Sequence, residues 1–418
     1  MVIQVNGRVK RRRLLEWTAA SLLGAWAYGG PAKAQPTMTD TSRANDAPTG
    51  QALTLFLCGD VMTGRGIDQV LPHPGDPRLY EPFVKSAREY VALAERANGP
   101  LPRPIDYAYI WGDALATLDR LRPDVRIVNL ETSVTTSDAA WPGKGIHYRM
   151  HPANVRCLTA ARLDCAVLAN NHVMDWGRPG LVETLATLHA AGLRTAGAGR
   201  DHVEAAAPAA IDVAGKGRVL VFAYGMPSSG VPASWAANAT LAGVNLLSDL
   251  SSRSVDAIAR AVDAHKRPGD VVVLSIHWGG NWGYDIGFAE QAFARRMVDT
   301  AGVDIVHGHS SHHPKGIEVH RDRLILYGCG DLIDDYEGIT GYEEFRADLG
   351  FLYLPTVNAA TGALSGLVLV PTRLRRFRLN DAAPTEAAWL TAMENREGRA
   401  LGTRAALQPD GTLRVEWR

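Results

Sequence analysis

The stretch from Cys165 to Gly177 joins an apolar run, CAVLA, to a dense set of polar side chains. Asn171 can bind a metal ion through its amide oxygen. Asp175 follows His172 by three residues, so a helical turn would let its carboxylate hold the imidazole. We therefore predict Asn171 as a ligand and His172, oriented by Asp175, as a general acid. The alternative is a hydrogen-bonded turn without chemistry.

Other predicted strands also end in residues that commonly bind metal ions. The runs ALTLFLCGD, DVRIVNLE, DVVVLSIHWGG and VDIVHGHSSHH each finish in a carboxylate or in histidine. Because side chains at strand ends of α/β sheets converge on a shared site, we expect one centre built from all of them. Oxygen and nitrogen donors suit Mn, Fe, Zn or Mg rather than a thiolate site. The strand endings that predict ligands are Asp60, Glu131, Asn171, His277 and His309.

Each of these residues also has an ordinary structural interpretation. Asp60 could close an Asx turn, Glu131 could cap a helix, and His277 could be a satisfied core residue. The HGHSSHH run holds His307 and His313 as well, and the sequence does not decide which of its histidines bind. The recurrence of the pattern at successive strand ends favours a metal site.

Three residues are predicted to contact the substrate. Arg65 follows Asp60 on the same loop, where its guanidinium could clamp a phosphate or carboxylate and assist catalysis. The alternative for Arg65 is a surface charge. Arg149 and Trp278 are the other two candidates.

The elements that must position these residues alternate between strand and helix from residue 52 onward. Apolar residues recur at helical spacing in DYAYIWGDALATLDRLRP, GLVETLATLHAAGL, SVDAIARAVDAHK and EQAFARRMVDTAG. Later runs, LGFLYLPTVN and GLVLVPTRLRRFRL, read as strands, with a helix at APTEAAWLTAMENRE and a final strand at GTLRVEWR. We therefore predict an α/β (α+β) domain over residues 52–345 and a small β-rich extension, residues 346–418, packed on it.

Composition restricts the partners. Lys+Arg and Asp+Glu both number 44, so the formal net charge is zero. A zero balance argues against nucleic acid or an anionic membrane as the main partner and leaves a small anionic substrate or anionic polymer open. The chain has 4 cysteines and no CxxC pair, which predicts neither a disulfide framework nor a thiolate metal site.

The N-terminal residues resemble an export signal. Residues 1–34 have a basic start, an apolar middle and the sequence Ala32-Lys33-Ala34, which predicts cleavage after Ala34. The run Arg11-Arg12-Arg13 before two leucines resembles a twin-arginine signal, and an ordinary Sec signal is the alternative. Residues 35–51 read as a disordered leader. We therefore expect a periplasmic or extracellular protein.

The order of these motifs resembles the CapA family, the poly-γ-glutamate capsule biosynthesis proteins, over residues 52–345. The matching segments are GDVMTGR, NLE, LANNHVMDWG, HWG and the GHSSHH loop. CapA proteins are similar to calcineurin-like metallophosphoesterases, so the resemblance implies a four-layer αββα sandwich with a metal site at the strand ends. It also implies ligand roles for the residues predicted above and for His312, with His172 as the acid. Two departures are Met62, where the superfamily usually has histidine, and the spacing of His309 and His312.

Two functions follow as hypotheses. The first is an exported metal-dependent hydrolase that acts on a phosphoester or on an amide of a γ-glutamyl or cell-wall polymer. The second is a non-catalytic capsule-assembly or polymer-binding factor that retains the fold. An association with cell-envelope machinery fits both. Metal-dependent turnover that requires His172 would separate the two hypotheses.

Overall fold

The computed structural model describes residues 51–418, which belong to one compact unit. The predicted signal at residues 1–34 and all but the last residue of the predicted leader lie outside the described residues. Within residues 51–418, no helix has the length and apolarity needed to cross a bilayer.

The strands range in length from 2 to 11 residues. They are β1 (Ala52–Val61), β2 (Val125–Leu130), β3 (Ser133–Val134), β4 (Arg149–Met150), β5 (Cys165–Val167), β6 (Arg194–Ala196), β7 (Ala198–Gly199), β8 (Ala209–Val213), β9 (Gly217–Gly225), β10 (Gly243–Val244), β11 (Asp270–His277), β12 (Ile305–His309), β13 (Ile317–His320), β14 (Arg323–Leu326), β15 (Asp331–Ile333), β16 (Leu349–Asn358), β17 (Leu364–Leu374), β18 (Leu379–Asp381), β19 (Thr403–Leu407) and β20 (Leu413–Trp417).

The helices connect these strands. The α-helices are α1 (Arg65–Val70), α2 (Arg88–Asn98), α3 (Asp113–Leu121), α4 (Arg156–Ala160), α5 (Gly177–Ala190), α6 (His202–Ala206), α7 (Ser252–His265), α8 (Phe288–Ala301) and α9 (Pro384–Glu397). Short 3-10 helices cover Tyr109–Trp111, Pro152–Val155, Pro227–Ser229, Ala233–Trp235, Glu343–Phe345 and Gly398–Leu401.

Two sheets form the centre of the molecule. The first has the order β19-β20-β17-β16-β1-β2-β5-β6, and the second has the order β13-β14-β12-β11-β9-β8. Strands β1, β2, β5 and β6 run parallel to one another, as do β9, β11, β12 and β14. Parallel neighbours end at the same edge, so each sheet presents its carboxyl ends together.

The alternation of side chains along β11 explains how the layers stack. Val271 and Val273 pack in the larger core with residues of the first sheet, whereas Val272, Leu274 and Ile276 pack in a second core with α7 and α8. Successive side chains of a strand point to opposite faces, so β11 serves both cores. Residues of α3, α4 and α5 join the larger core. The predicted α+β sandwich is confirmed.

The C-terminal residues extend the first sheet. Strand β16 pairs antiparallel with the first half of β1, and β17 to β20 continue outward from it. Strand β15 lies beside the last residues of β1, where β16 has ended. Residues 346–418, which the sequence predicts as a packed extension, are thus continuous with the sheet that carries Asp60.

The helix predicted over DYAYIWGDALATLDRLRP is interrupted at Gly112. A 3-10 turn ends at Trp111 and α3 begins at Asp113. Gly112 has φ +45°, and a Cβ there would lie 2.1 Å from the carbonyl oxygen of Leu379. Only glycine fits this close approach, so the chain turns there although the apolar spacing continues through it.

Candidate metal centre

Three buried carboxylates meet at the carboxyl end of the first sheet. Asp60 lies at the end of β1, Glu131 directly follows β2, and Asp331 begins β15. Oxygens of all three lie within 4.8 Å of one another. Asn129 on β2 donates to Asp60 Oδ1 at 2.7 Å, and the Ser310 amide donates to Oδ2 at 3.2 Å, so the Asp60 carboxylate is held from both sheets.

Asp60 and Asp331 are adjacent because β1 and β15 are adjacent. The two residues are register partners in a parallel pair, and the Asp60 amide donates to the Gly330 carbonyl at 2.9 Å. A Cβ on Gly59 would lie 1.6 Å from that carbonyl oxygen, so only glycine allows the two strands to approach this closely. Each aspartate follows a Cys-Gly pair, which makes the tripeptide Cys-Gly-Asp occur twice in the chain.

A second group shares Asp60 with two histidines of the second sheet. Asp60, His277 and His309 offer ligand atoms within 4.8 Å of one another. His277 Nδ1 lies 2.7 Å from His309 Nδ1, and His277 Nε2 lies 3.0 Å from Asn171 Oδ1. Four predicted ligands therefore lie close to one another: Asp60, Asn171, His277 and His309. A fifth, Glu131, lies with Oε1 3.7 Å from His277 Nε2.

Burial makes this collection of charges costly in the absence of a cation. Burial raises the pKa of Asp60 to about 8, with a further contribution from Asp331. Burial, Asp60 and Asp331 also raise the pKa of Glu131 well above its usual value. Burial lowers the pKa of His277 and of His309, which keeps both rings neutral and able to bind a metal.

The donor set fits divalent metal ions. It combines carboxylate, amide and neutral imidazole groups, the ligands of Mn, Fe, Zn and Mg. Asp331 Oδ1 is buried and has no hydrogen-bond partner within residues 51–418, as a ligand atom facing a metal position would. Two groups of three possible ligands share Asp60, and Met62 supplies no ligand atom to either group.

The predicted acid lies beside this centre. His172 Nδ1 is 2.6 Å from Asp175 Oδ2, and His172 Nε2 is 4.0 Å from Glu131 Oε1. An imidazole that donates Nδ1–H to the carboxylate leaves Nε2 directed at the centre. Asp175 is itself held by the Tyr148 amide at 2.7 Å. Burial, then Lys144 and Arg65, lower the pKa of His172, so the ring is neutral at rest.

The histidines of the loop HGHSSHH have different partners. His309 belongs to the ligand group, whereas His312 donates from Nδ1 to Asp331 Oδ2 at 2.8 Å. Burial lowers the pKa of His312, whereas Asp331 and Asp60 raise it. The net result is a pKa above the usual value. His312 lies in neither group of three and holds Asp331 through Nδ1, so its role as a ligand stays a prediction. His307 and His313 bond to the backbone at Cys58 and Pro314, at 2.6 and 3.0 Å respectively.

The guanidinium of Arg65 forms ion pairs with two carboxylates. Nε donates to Asp335 at 3.1 Å, Nη2 also pairs with Asp335, and Nη1 donates to Glu81 at 3.0 Å. Its side chain is 2% exposed. The guanidinium therefore faces protein groups, and the predicted contact with substrate stays a prediction.

The other two predicted substrate contacts are also engaged within the protein. Arg149 donates to Asp138 at 3.0 Å and lies 3.8 Å over the Trp176 ring. The Trp278 indole is buried in the second core, and its Nε1 donates to the Tyr327 carbonyl at 2.9 Å. The structure does not bring either residue into the two ligand groups.

Sequence reasoning missed Asp331 and Lys144. The repeated Cys-Gly-Asp tripeptide was a signal for Asp331, because it places two aspartates in the same context. Lys144 gave no signal. It lies in a loop rich in glycine and proline, yet its ammonium contacts the Asn171 carbonyl, the Asp175 carboxylate and, at 3.1 Å, His172 Nδ1.

Comparison with known proteins identifies the family of this chain. The family model of the bacterial capsule synthesis protein PGA_cap matches residues 54–336, well over half of the 418 residues. The chain belongs to this capsule synthesis family, which includes CapA. The matched residues contain every ligand candidate of both groups.

Relatives within the family differ in how closely they match. The chain is 48% identical to the probable polyglutamine synthesis accessory protein of Mycobacterium tuberculosis, over 87% of this chain and 96% of that protein. It is 23% identical to the capsule biosynthesis protein CapA of Bacillus anthracis, over 68% of this chain and 60% of that protein. It is 25% identical to the PGA biosynthesis protein CapA of Bacillus subtilis, over 68% and 63% respectively.

Proposed function

We propose that this capsule synthesis family member is an exported, metal-dependent hydrolase. The bond cleaved is a phosphoester or an amide of an anionic polymer, of which a γ-glutamyl polymer is the kind that the names of the CapA relatives suggest. The observation that carries the proposal is the position of the His172–Asp175 pair, whose free Nε2 lies 4.0 Å from the carboxylate of a ligand candidate.

The ligand groups define what a metal would contribute. Divalent ions held by Asp60 and its partners would polarise the scissile group and lower the pKa of a water molecule at neutral pH. Asn129 and His312 hold Asp60 and Asp331 through single hydrogen bonds of 2.7 and 2.8 Å, which fix the direction of each carboxylate.

His172 would move a proton between its Nε2 and the leaving group. Its lowered pKa keeps the imidazole neutral before substrate binds. An anionic group placed next to the ring favours the imidazolium, because an opposite charge stabilises the protonated form. Asp175 then holds the ring in place through Nδ1 while Nε2 donates to the departing atom.

A purely structural centre would not require this pair. A polymer-binding factor could use the same ions and the same fold without proton transfer. The close approach of Nε2 to the centre, together with the buried carboxylate next to Nδ1, supports the role of a general acid with an orienting partner.

Elemental analysis followed by turnover assays tests the proposal. The purified chain should contain a divalent metal and hydrolyse a member of a panel of aryl phosphodiesters and γ-glutamyl amides. Chelation and His172→Ala should each abolish most of that turnover. His320→Ala is the matched control. His320 Nε2 lies 2.9 Å from Asp299 Oδ1, and neither residue belongs to the ligand groups. Turnover that persists after chelation, or that survives His172→Ala, contradicts the hydrolase.

A further inference from the structure

Two tyrosines lie against the candidate metal centre, and their hydroxyls are paired. Tyr148 Oη lies 2.6 Å from Tyr336 Oη. The Tyr148 ring stacks on His172 with centroids 3.7 Å apart and an interplanar angle of 20°. The Tyr336 ring meets His312 edge to face at 5.3 Å. The phenol pair therefore joins the histidine proposed as the acid to the histidine that orients Asp331.

Counting hydrogens shows that this pair has one donor left over. Two hydroxyls carry two hydrogens, and only one of them can lie between the two oxygens. Within residues 51–418, neither hydroxyl makes another hydrogen bond. A hydroxyl hydrogen at a binding site that has no protein acceptor is available to a ligand.

Arg65 decides which tyrosine keeps the free hydrogen. Its guanidinium carbon lies 4.7 Å from the Tyr148 ring centroid and 5.6 Å from that of Tyr336. The nearer cation makes Tyr148 the more acidic phenol, and the more acidic hydroxyl is the better donor within the pair. Tyr148 also is the more buried of the two. Tyr148 therefore donates to Tyr336, and the hydrogen of Tyr336 is free.

The surroundings of Tyr336 keep it protonated. Burial, Tyr148, Asp331 and Glu131 all raise the pKa of the Tyr336 phenol well above its usual value. The Tyr336 ring lies 5.3 Å from that of His312, which holds the ligand candidate Asp331, so the phenol lies close to the centre. A neutral donor at this place can hydrogen-bond an anion without adding a charge of its own.

We propose that Tyr336 Oη donates a hydrogen bond to an oxyanion of the substrate bound at this centre, a phosphate or carboxylate oxygen. The inference rests on the proposed function, which places the substrate there. Arg65, held by Asp335 and Glu81, acts through Tyr148 and is a positioning residue for this donor.

Direct binding of two small anions tests the assignment. The metal content of the parent protein is measured first, and inorganic phosphate and glutamate are then titrated separately into the metal-loaded chain by calorimetry. Tyr336→Phe should weaken at least one of the two anions by about tenfold or more, the effect of losing one hydrogen bond to a charged group. Weakened phosphate binding indicates a phosphoester substrate, and weakened glutamate binding indicates a γ-glutamyl one.

Two variants serve as comparisons. Tyr342→Phe should leave both affinities unchanged, because Tyr342 is exposed and its ring stacks on Trp282 with centroids 4.0 Å apart. Tyr148→Phe should weaken binding less than Tyr336→Phe does, since the donor of Tyr336 remains. Melting temperature and metal content should be equal in all three variants.

The outcomes separate the two levels of the proposal. Absence of metal from the parent protein would refute the proposed hydrolase. Metal uptake with no binding of either anion, or equal affinity in Tyr336→Phe and the parent, overturns the role of Tyr336 and leaves the hydrolase standing. A larger loss in Tyr148→Phe than in Tyr336→Phe also overturns it, because the free donor would then belong to Tyr148.

Discussion

Asp60 and Asp331 are register partners on the adjacent parallel strands β1 and β15, and each is the last residue of a Cys-Gly-Asp tripeptide. Their pairing places two buried carboxylates side by side, with Glu131 as a third. Like charges this close disfavour ionisation unless a cation lies between them. The pairing of two strands therefore creates a place where a bound cation would stabilise the ionised carboxylates.

Replacing single ligand candidates should affect the two ligand groups differently. Asp60→Ala should weaken binding of all metal by at least about tenfold, because Asp60 belongs to both groups and even changes next to a ligand cost about 10–100-fold. His277→Ala and Asp331→Asn should each affect one group. Elemental analysis and competition titration measure this. Asp68→Asn, which removes a buried carboxylate hydrogen-bonded to Asn154 at 2.7 Å, is the control. Full metal content in both Asp60→Ala and His277→Ala would refute the ligand assignment.

The metal-free protein should lose stability as pH rises. The folded pKa of Asp60 is about 8, above the unfolded value near 3.8. The folded state therefore holds the proton more tightly, and stability falls as pH rises from the unfolded to the folded pKa. Metal should stabilise more at the alkaline end of this window, by about 2.7 kcal/mol at a hundred times its Kd.

Thermal melting with and without a chelator measures this pH dependence. Asp60→Asn should flatten the curve of the chelated protein, because the titrating carboxyl is gone. A chelated protein whose melting temperature rises across the window would contradict the assignment of this group.

Loss of the acid should reduce turnover without loss of metal. His172→Ala should lower turnover by about 10²–10⁴-fold, the usual contribution of a general acid. Asp175→Asn should cost less, since an amide oxygen can still accept from His172 Nδ1. Steady-state kinetics and metal analysis of the same preparations test this. If His172→Ala loses metal together with activity, His172 is a ligand and not the acid.

The ammonium of Lys144 should affect the pKa of His172. This charge contributes to the lowered pKa of His172, after burial. Lys144→Met should therefore raise that pKa and move the alkaline limb of the rate profile to higher pH. The pH dependence of turnover is the measurement. Lys216→Met, which breaks an ion pair with Asp124 at 2.8 Å, is the matched control. A downward shift in Lys144→Met would exclude this electrostatic role.

The N-terminal signal predicts export and processing. The mature chain should begin at Gln35, because cleavage follows Ala32-Lys33-Ala34. N-terminal sequencing of the exported protein measures the start. Replacing Arg11-Arg12-Arg13 by lysines should block export if the signal is of the twin-arginine type and preserve it if the signal is of the Sec type. Soluble cytoplasmic protein that retains Met1 as its only form would contradict export.

Residue types at strand ends predicted most of the residues that the structure brings together. Asp60, Glu131, Asn171, His277 and His309 come together because parallel strands end at one edge, a regularity that a sequence alone can use. The pairing of His172 with Asp175 followed from a spacing of three residues, which is local geometry. The α/β character followed from the alternation of strands and helices, whereas the sandwich was implied by the resemblance in motif order.

Long-range pairing decided the rest. Asp331 lies far from Asp60 in sequence, and only the adjacency of β1 and β15 makes it a ligand candidate. Lys144 reaches Asp175 through the path of a loop, which no periodicity encodes. Arg65 and Trp278 have side chains that suit a substrate, but ion pairs with Asp335 and Glu81 engage the first and a core encloses the second. The sequence by itself determined which groups could do chemistry. The tertiary structure decided which of them share a site, because that depends on contacts between residues distant along the chain.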